Sequence, residues 1–387
     1  MSTAPIEEFR QEIRSWLEEI LPAELRVGNR RDLPGKKLGQ WINALADRGW
    51  ITPTWPTEYG GGGLDREHTV ALMSELRAVR APTIGSFGTS LLGPTLLEFG
   101  TEEQKLEFLP PISRHEIKWC QGYSEPGAGS DLASLQTRAV REGDEYVITG
   151  QKIWTTGADK ADWIFCLVRT DPDAPKHEGI SFILFPMHQP GVEVAPLQLI
   201  DGTAHFSQVF LDGARAKANH VVGPVNGGWT VAKRLLQHER STDGGSEGGL
   251  SGASKEKLVD LVKREVGLEN GILADPMIRQ RLAAQELEAR ALSLTMRRAG
   301  EEVRAGQVER DIGSLGKFRW ANMVKSEQDI AMMAHGTQGL GWDGPGFEGS
   351  QLERTRAWLT TRADSIWGGT NEVQLNVIAK RVLRIPE

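Results

Sequence analysis

The strongest constraint in this sequence is that its apolar period changes twice. From about residue 5 to 118 apolar residues recur three and four apart, as a helix face requires; Phe9, Ile13, Trp16, Leu17 and Ile20 form one such stripe, ended by Leu21-Pro22. From Ile117 to about Gly223 the runs are short, β-branched or aromatic: Tyr146 to Ile148, Trp163 to Val168, Ile180 to Phe185, Val192 to Leu199 and Phe206 to Leu211. Turn residues such as Gly143-Asp144 and Thr149-Gly150 divide them. After Asn226-Gly227-Gly228 the helical period returns, with long stripes from Ile278 to Val303 and from Phe318 to Met333. This order predicts an α+β fold: an N-terminal helical domain over 1–118, a central antiparallel β-barrel or sandwich over 119–225, and a C-terminal helical bundle over 226–387.

Inside the first block, Val70, Met73, Leu76 and Val79 predict a buried stripe, and Trp50 to Leu64, with its prolines and Gly60 to Gly63, reads as a turn-rich connection. Thr101-Glu102-Glu103-Gln104 predicts a capping box for a helix that Pro110-Pro111 closes. Glycine-rich breaks at about 244–252 and 339–349 separate the helices of the last block.

Charge narrows the partners. Lys plus Arg number 45 and Asp plus Glu 52, a net charge of −7, and no basic block stands out. Nucleic acid and anionic membrane are therefore not expected as main partners, though an anionic substrate can still bind locally. Cys120 and Cys166 are the two cysteines, neither at a metal spacing and both within apolar runs; they predict buried reduced thiols and no metal. Met1 to Glu8 carries acidic residues and no apolar signal core, and no run is long enough to cross a bilayer, so a soluble cytoplasmic protein is expected.

Two stretches carry chemistry. In Trp119 to Asp131 an apolar run breaks at Glu125-Pro126 into a glycine-rich turn with Ser130 and Asp131, where backbone N–H groups and a hydroxyl can gather around an anion. Gly150 to Gly157 reads as a short strand bearing one aromatic plane and two hydroxyls, suited to a flat heterocycle with a polar edge. Alone, the Gly-Ala-Gly-Ser turn is most often only a turn, and Trp154 alone is more often core. Together they suggest a flavin site.

The whole run resembles the signature of the acyl-CoA dehydrogenase family, and the strand pattern continues to resemble it to about Phe185. Trp-Pro-x-Glu-Tyr-Gly-Gly at Trp55 to Gly61 and the α–β–α order extend the resemblance over nearly the whole chain. One departure is Tyr123, where the family usually has an aliphatic residue. The resemblance implies FAD and α,β-dehydrogenation of an acyl-CoA thioester. It places Gln121, Tyr123, Ser124, Gly129, Ser130, Trp154 and Thr156 at the flavin, joined by Gly368, Thr370 and Glu372 of a C-terminal turn. Tyr123 and Ser124 would meet the pyrimidine edge, Thr156 the N5 region, Trp154 the ring face, and Ser130 the pyrophosphate and the substrate.

The reaction needs a carboxylate in a mostly dry pocket, where desolvation makes it a better base. In many relatives that acid is the Glu of a Tyr-Glu-Gly-Thr turn; here the segment is Ile366-Trp367-Gly368-Gly369-Thr370-Asn371-Glu372, and Gly368 cannot be a base. A second family location is a Glu-Arg pair on the first helix after the β domain, matched by Glu239-Arg240, with Glu239 three and four residues after Leu236 and Leu235. A Glu-Arg dipeptide is by itself usually a solvated pair; with the resemblance and the loss at Gly368, Glu239 is the expected base. Arg240 is expected near the thioester or CoA moiety, with a plain salt bridge as the alternative. The resemblance leaves Gly368 one role, its backbone N–H as a donor to the thioester carbonyl beside the flavin ribityl 2′-hydroxyl.

Homotetrameric relatives clamp the flavin adenine with Arg-x-x-Phe-Gly and Gln-x-x-Gly-Gly-x-Gly segments from a neighbouring subunit. At those places this chain reads Lys263 to Glu269 and His335 to Gly341, and neither motif is legible. The chain is expected either as a divergent homotetramer or as the catalytic half of an α2β2 heterotetramer. In wording it resembles the larger subunits of steroid-side-chain or pimeloyl-CoA-type dehydrogenases. An electron-transfer flavoprotein is the implied acceptor. Competing expectations are a flavin-binding or structural subunit without catalysis, and a flavin oxidase on the same fold. Small residues at Ser241 to Gly245 suggest room for a bulky acyl chain.

Overall fold

The computed structural model describes residues 4–26, 35–241, 257–306 and 312–386, with the backbone alone at Glu239, Arg240, Ser241, Val303 and Arg304. The glycine-rich stretch expected at 244–252, and the small residues after Ser241, lie outside the described residues. The chain divides into two compact units, residues 1–197 with 205–247, and residues 198–204 with 248–387.

The first unit opens with α1 (Ala4–Ile20), α2 (Gly35–Asp47) and α3 (Arg66–Ala78), packed around Ile13, Leu17, Trp41, Leu45, Leu72 and Leu76. Of the stripe expected on α3, Leu76 is buried and Val79 packs against the core, but the first half faces out. Val70 and Met73 are 58% and 37% exposed, and the inward face is Ala71, Leu72, Glu75 and Leu76. That face includes a carboxylate because α1 supplies two cations to it: Arg10 Nη1 lies 2.5 Å from Glu75 Oε1 and Arg14 Nε 2.9 Å from Oε2. The Arg14 hydrogen bond outweighs burial and holds the Glu75 carboxyl below its ordinary range. A count of apolar residues alone misses a face that includes a paired acid.

A π-helical turn at Gly88–Leu92 feeds α4 (Gly93–Phe99), and α5 (Glu102–Ser113) follows with the expected capping box, Thr101 and Gln104 each accepting the other's backbone N–H. Pro110-Pro111 does not end α5, which continues to Ser113. Buried Phe108, Leu109 and Ile112 hold its last turn, and the Pro110 carbonyl still accepts the Arg114 N–H at 3.1 Å.

The strands are β1 (Trp119–Gly122), β2 (Arg138–Glu142), β3 (Glu145–Thr156), β4 (Trp163–Arg169), β5 (Ile180–Pro186), β6 (Val192–Leu197), β7 (Phe206–Lys217) and β8 (Val221–Val222), followed by helix α6 (Gly228–Ser241). They form one sheet in the order β6-β7-β3-β2-β4-β5-β8, with β1 off that path on β4. Pairing is antiparallel except for β1 with β4, from Trp119↔Trp163 to Gly122↔Cys166, and one β2–β4 residue pair. β4 and β5 have no polar alternation because both faces are covered. Ile164, Cys166 and Val168 face one core, and Phe165 and Leu167 face another shared with α4, α5 and α6. Both cysteines are free and buried in this sheet; burial raises both thiols, Cys166 to about 11, so neither is a reactive thiolate.

The second unit contains α7 (Leu258–Val266), a hairpin of β9 (Leu268–Glu269) and β10 (Ile272–Leu273), α8 (Pro276–Arg304), α9 (Ile312–His335), α10 (Gly349–Thr360) and α11 (Asn371–Val377). Leu261, Val262, Ile278, Leu282, Ile330 and Ala331 form its core. Residues 198–204 belong to it through Asp201, whose Oδ2 accepts the Thr360 hydroxyl at 2.6 Å and whose carbonyl accepts Arg356 Nη1 at 3.3 Å. Among the described residues no helix is long and apolar enough to cross a membrane, and no group of three His, Cys, Asp or Glu could hold a metal.

Candidate active site

The first unit brings the two chemistry-bearing stretches side by side. β1 delivers the loop from Tyr123 onward, and the Ile153 N–H donates to the Ser124 carbonyl at 2.9 Å, joining that loop to β3. Beneath this bond lies a buried ion pair. Lys152 Nζ is 2.8 Å from Glu125 Oε1, with the lysine side chain 0% and the glutamate 7% exposed. Glu125 also accepts the backbone N–H groups of Gln136 at 2.6 Å and Thr137 at 2.9 Å, while Lys152 also donates to the Tyr123 carbonyl at 3.2 Å. Burial alone would raise the Glu125 carboxyl. The Lys152 charge and hydrogen bond, with the Thr137 and Gln136 donors, hold it below its ordinary value.

β3 departs from regular pairing at the residue the resemblance assigns to the flavin face. Lys152 pairs with Val209 and Thr155 with Ser207, so Ile153 and Trp154 oppose one residue of β7, a β-bulge. Trp154 sits there at φ +62°. A left-handed tryptophan costs on the order of 1–3 kcal/mol, which the surrounding structure must impose. The bulge leaves Trp154 55% exposed, with its ring edge-on to Phe206 at 5.9 Å. Thr156 beside it is half-buried, and the buried Thr155 hydroxyl has no hydrogen-bond partner among the described residues.

The other assigned residues of this unit surround the same loop. Gln121 is half-buried on β1 and Ser124 half-buried after it. Tyr123 sends its ring into the core, edge-on to Phe165 and Phe182 at 6.1 and 6.4 Å, so its backbone is what a ligand could meet. Gly129 and Ser130 are exposed on an open turn, where a Cβ at Gly129 would touch nothing within 4 Å. Asp131 is held by Lys176 at 2.9 and 3.0 Å.

On α6, Val231, Ala232 and Leu235 are buried, and Arg234 Nε donates to Glu98 Oε2 of α4 at 2.6 Å. Position 239 follows Leu235 by one helical turn. The side chains of Glu239 and Arg240 lie outside those described.

Gly368, Thr370 and Glu372 belong to the second unit. Gly368 and Gly369 adopt φ +62° and +89°, Thr370 caps α11 by accepting the Val373 N–H at 3.2 Å, and Glu372 is exposed in the first turn. Gln374 Nε2 donates to the Gly368 carbonyl at 3.2 Å, and Lys317 Nζ to that of Gly369 at 2.7 Å. The two segments without legible clamp motifs also meet in this unit, where His335 Nδ1 lies 3.6 Å from Glu265 Oε1.

Three family models cover the chain: the acyl-CoA dehydrogenase N-terminal domain at residues 3–116, the middle domain at 120–213 and the C-terminal domain at 226–383. The acyl-CoA dehydrogenase IpdE1 of Mycobacterium tuberculosis is 39% identical over 388 residues, covering 98% of each chain. The chain belongs to the acyl-CoA dehydrogenase family. It is an oxidoreductase of that class, and members of the family are flavoproteins. Among solved structures, the steroid ACAD Tcur3481-Tcur3483 is 33% identical with a TM-score of 0.76, covering 100% of this chain and 99% of that one. The ChsE4-ChsE5 complex from Mycobacterium tuberculosis is 29% identical with a TM-score of 0.73, covering 100% and 99%.

Sequence reasoning missed the Glu125–Lys152 pair, yet one signal was present. The period of β3 puts Lys152 on the face of Tyr146 and Ile148, and a lysine there needs a buried partner. It also missed Asp364 and Lys317, for which the sequence carries no comparable mark.

Proposed function

We propose that this acyl-CoA dehydrogenase binds FAD and oxidises an acyl-CoA thioester to the 2-enoyl-CoA, with Glu239 as the base. The observation that carries the cofactor assignment is the bulge at Trp154, clamped beside Ser124: a strained, exposed aromatic plane next to half-buried hydroxyls and an open glycine turn. These residues fit a flat isoalloxazine with a pyrophosphate tail. Trp154 would hold the ring face, Ser124 and Thr156 its polar edge, and Gly129 and Ser130 the pyrophosphate. Gln121 and the backbone of Tyr123 complete that wall, and Thr370 and Glu372 are assigned to the flavin from the resemblance. FAD, when bound, supplies the acceptor for the β-hydrogen.

The chain itself handles the α-proton. Glu239 would take it at a carboxylate oxygen, and the Gly368 N–H would donate to the thioester carbonyl as negative charge develops there. Ser130 and Arg240 are assigned to the CoA moiety. Glu239→Gln is expected to slow anaerobic flavin bleaching by acyl-CoAs by about two to four orders of magnitude. Unchanged bleaching sinks the assignment.

We further propose an α2β2 heterotetramer with a second acyl-CoA dehydrogenase-like subunit, and an electron-transfer flavoprotein as acceptor. The departures at Lys263 to Glu269 and His335 to Gly341, with relatives solved as complexes, support the heteromer. Full flavin loading and activity of the lone chain would overturn it. An oxidase is separated from this reading by the rate at which reduced flavin reacts with oxygen. A cytoplasmic location is part of the same proposal.

A further inference from the structure

Two consecutive glycines at positive φ make the Gly368-Gly369 turn the most freely jointed backbone near α11, and such a turn loses much conformational freedom when it is fixed. Yet it is tied from two directions. Gln374 Nε2 reaches both carbonyls, at 3.2 and 3.4 Å, and Lys317 Nζ, from α9, reaches that of Gly369 at 2.7 Å. Asp364, four residues before Gly368, is fully buried, and neither carboxylate oxygen makes a well-aligned hydrogen bond among the described residues. The Trp367 side chain approaches it as a donor, and the charged groups acting on it are Lys317, Lys325 and Arg362. Lys317 in turn feels Asp364, Glu372 and Lys325. Burying a carboxylate so poorly satisfied is costly, and an exposed acid would have served Lys317 as a counter-ion.

We propose that Lys317 and Asp364 are a positioning pair for the Gly368-Gly369 turn. Lys317 holds the Gly369 carbonyl, and the buried charge of Asp364 favours the ammonium there, so that the turn's N–H groups are directed at the thioester carbonyl of the substrate. The last clause rests on the acyl-CoA reading above; the hold on the turn does not. The pair supplies the order that a side chain at position 368 would otherwise impose, and it touches neither substrate nor cofactor.

The test is amide hydrogen exchange over residues 366–371 in the whole chain, with Lys317→Met, Lys317→Arg and Asp364→Asn. Exchange about tenfold faster is expected in Lys317→Met and Asp364→Asn, with Lys317→Arg close to the parent. Unchanged exchange in variants that remain folded by circular dichroism overturns the pair. If Lys317→Met does not fold, Asp364→Asn against Lys317→Arg decides the same question.

Calorimetric binding of 3-thiaoctanoyl-CoA, which has the carbonyl, is then compared with S-octyl-CoA, which lacks it. Lys317→Met is expected to weaken the first about tenfold and the second less than about twofold. Equal weakening overturns the carbonyl role. Failure of the parent protein to bind either probe overturns the acyl-CoA reading and the carbonyl role with it, while the exchange data still decide whether the pair holds the turn.

Discussion

Lys152 Nζ lies 2.8 Å from Glu125 Oε1, and neither side chain meets appreciable solvent. The glutamate immediately follows Ser124 and the lysine precedes Trp154 by two residues, so one ion pair fixes the spacing between the loop and the bulge that form the candidate flavin wall. Removing one member of a buried pair leaves an unpaired charge in the core.

Lys152→Met is expected to destabilise the chain by about 3–5 kcal/mol, and the double variant Lys152→Met, Glu125→Leu by clearly less. Urea unfolding of the four proteins in the cycle measures this. Simple additivity of the two losses would show that the charges are not coupled.

Trp154→Gly should separate strain from binding. Glycine adopts φ +62° without penalty, so relief of the left-handed backbone offsets the lost contact with Phe206, and stability without flavin should change by less than about 1 kcal/mol. Flavin affinity, read by fluorescence on dilution, should fall at least tenfold. Retained affinity would remove Trp154 from the site.

Gly93 marks a close approach of α4 to the aromatic core. A Cβ there would lie 1.9 Å from Trp55 Cη2 and 3.0 Å from the Gly88 carbonyl oxygen, and Trp55 is itself buried. Gly93→Ala is expected to cost at least about 2 kcal/mol, measured by chemical denaturation. A neutral result would mean the indole moves freely.

Asp364 gives a pH dependence with a definite sign. Burial, the largest effect, raises its carboxyl from 3.8 to about 6 against the opposing approach of the Trp367 side chain and the Lys317, Lys325 and Arg362 charges. Between those values the folded chain binds more protons than the unfolded one, so this group's contribution is complete below 3.8 and is lost as pH rises through about 6. The melting temperature of Asp364→Asn relative to the parent should therefore rise from pH 4 to pH 7. A flat difference would contradict the shift.

The order of helices and strands was legible because periodicity is a local property, as the capping box at Thr101 and the fully apolar strand around Phe165 illustrate. What escaped depends on neighbours distant in sequence. The inward face of α3 includes Glu75 only because α1 brings Arg10 and Arg14 to it, and α5 tolerates Pro110 and Pro111 only because its last turn is buried. The candidate site was legible only as a family signature, including the glycine at position 368. The clamp at Lys152 and the acid at 364 were not, since their meaning comes from partners 27 and 47 residues away, Glu125 and Lys317.

The parallel seating of β1 on β4 also orders events in time. A parallel pair cannot close through a tight turn, and between Gly122 and Trp163 the chain must first lay down the β2–β3 hairpin. Lys152, which anchors the loop after β1, is itself part of that hairpin. During synthesis the ribosome must therefore release the chain well past Arg169 before the loop can take its shape. On the flavin reading proposed above, cofactor capture is a late step in biogenesis, and a nascent chain stalled before β4 should emerge flavin-free however much flavin surrounds it.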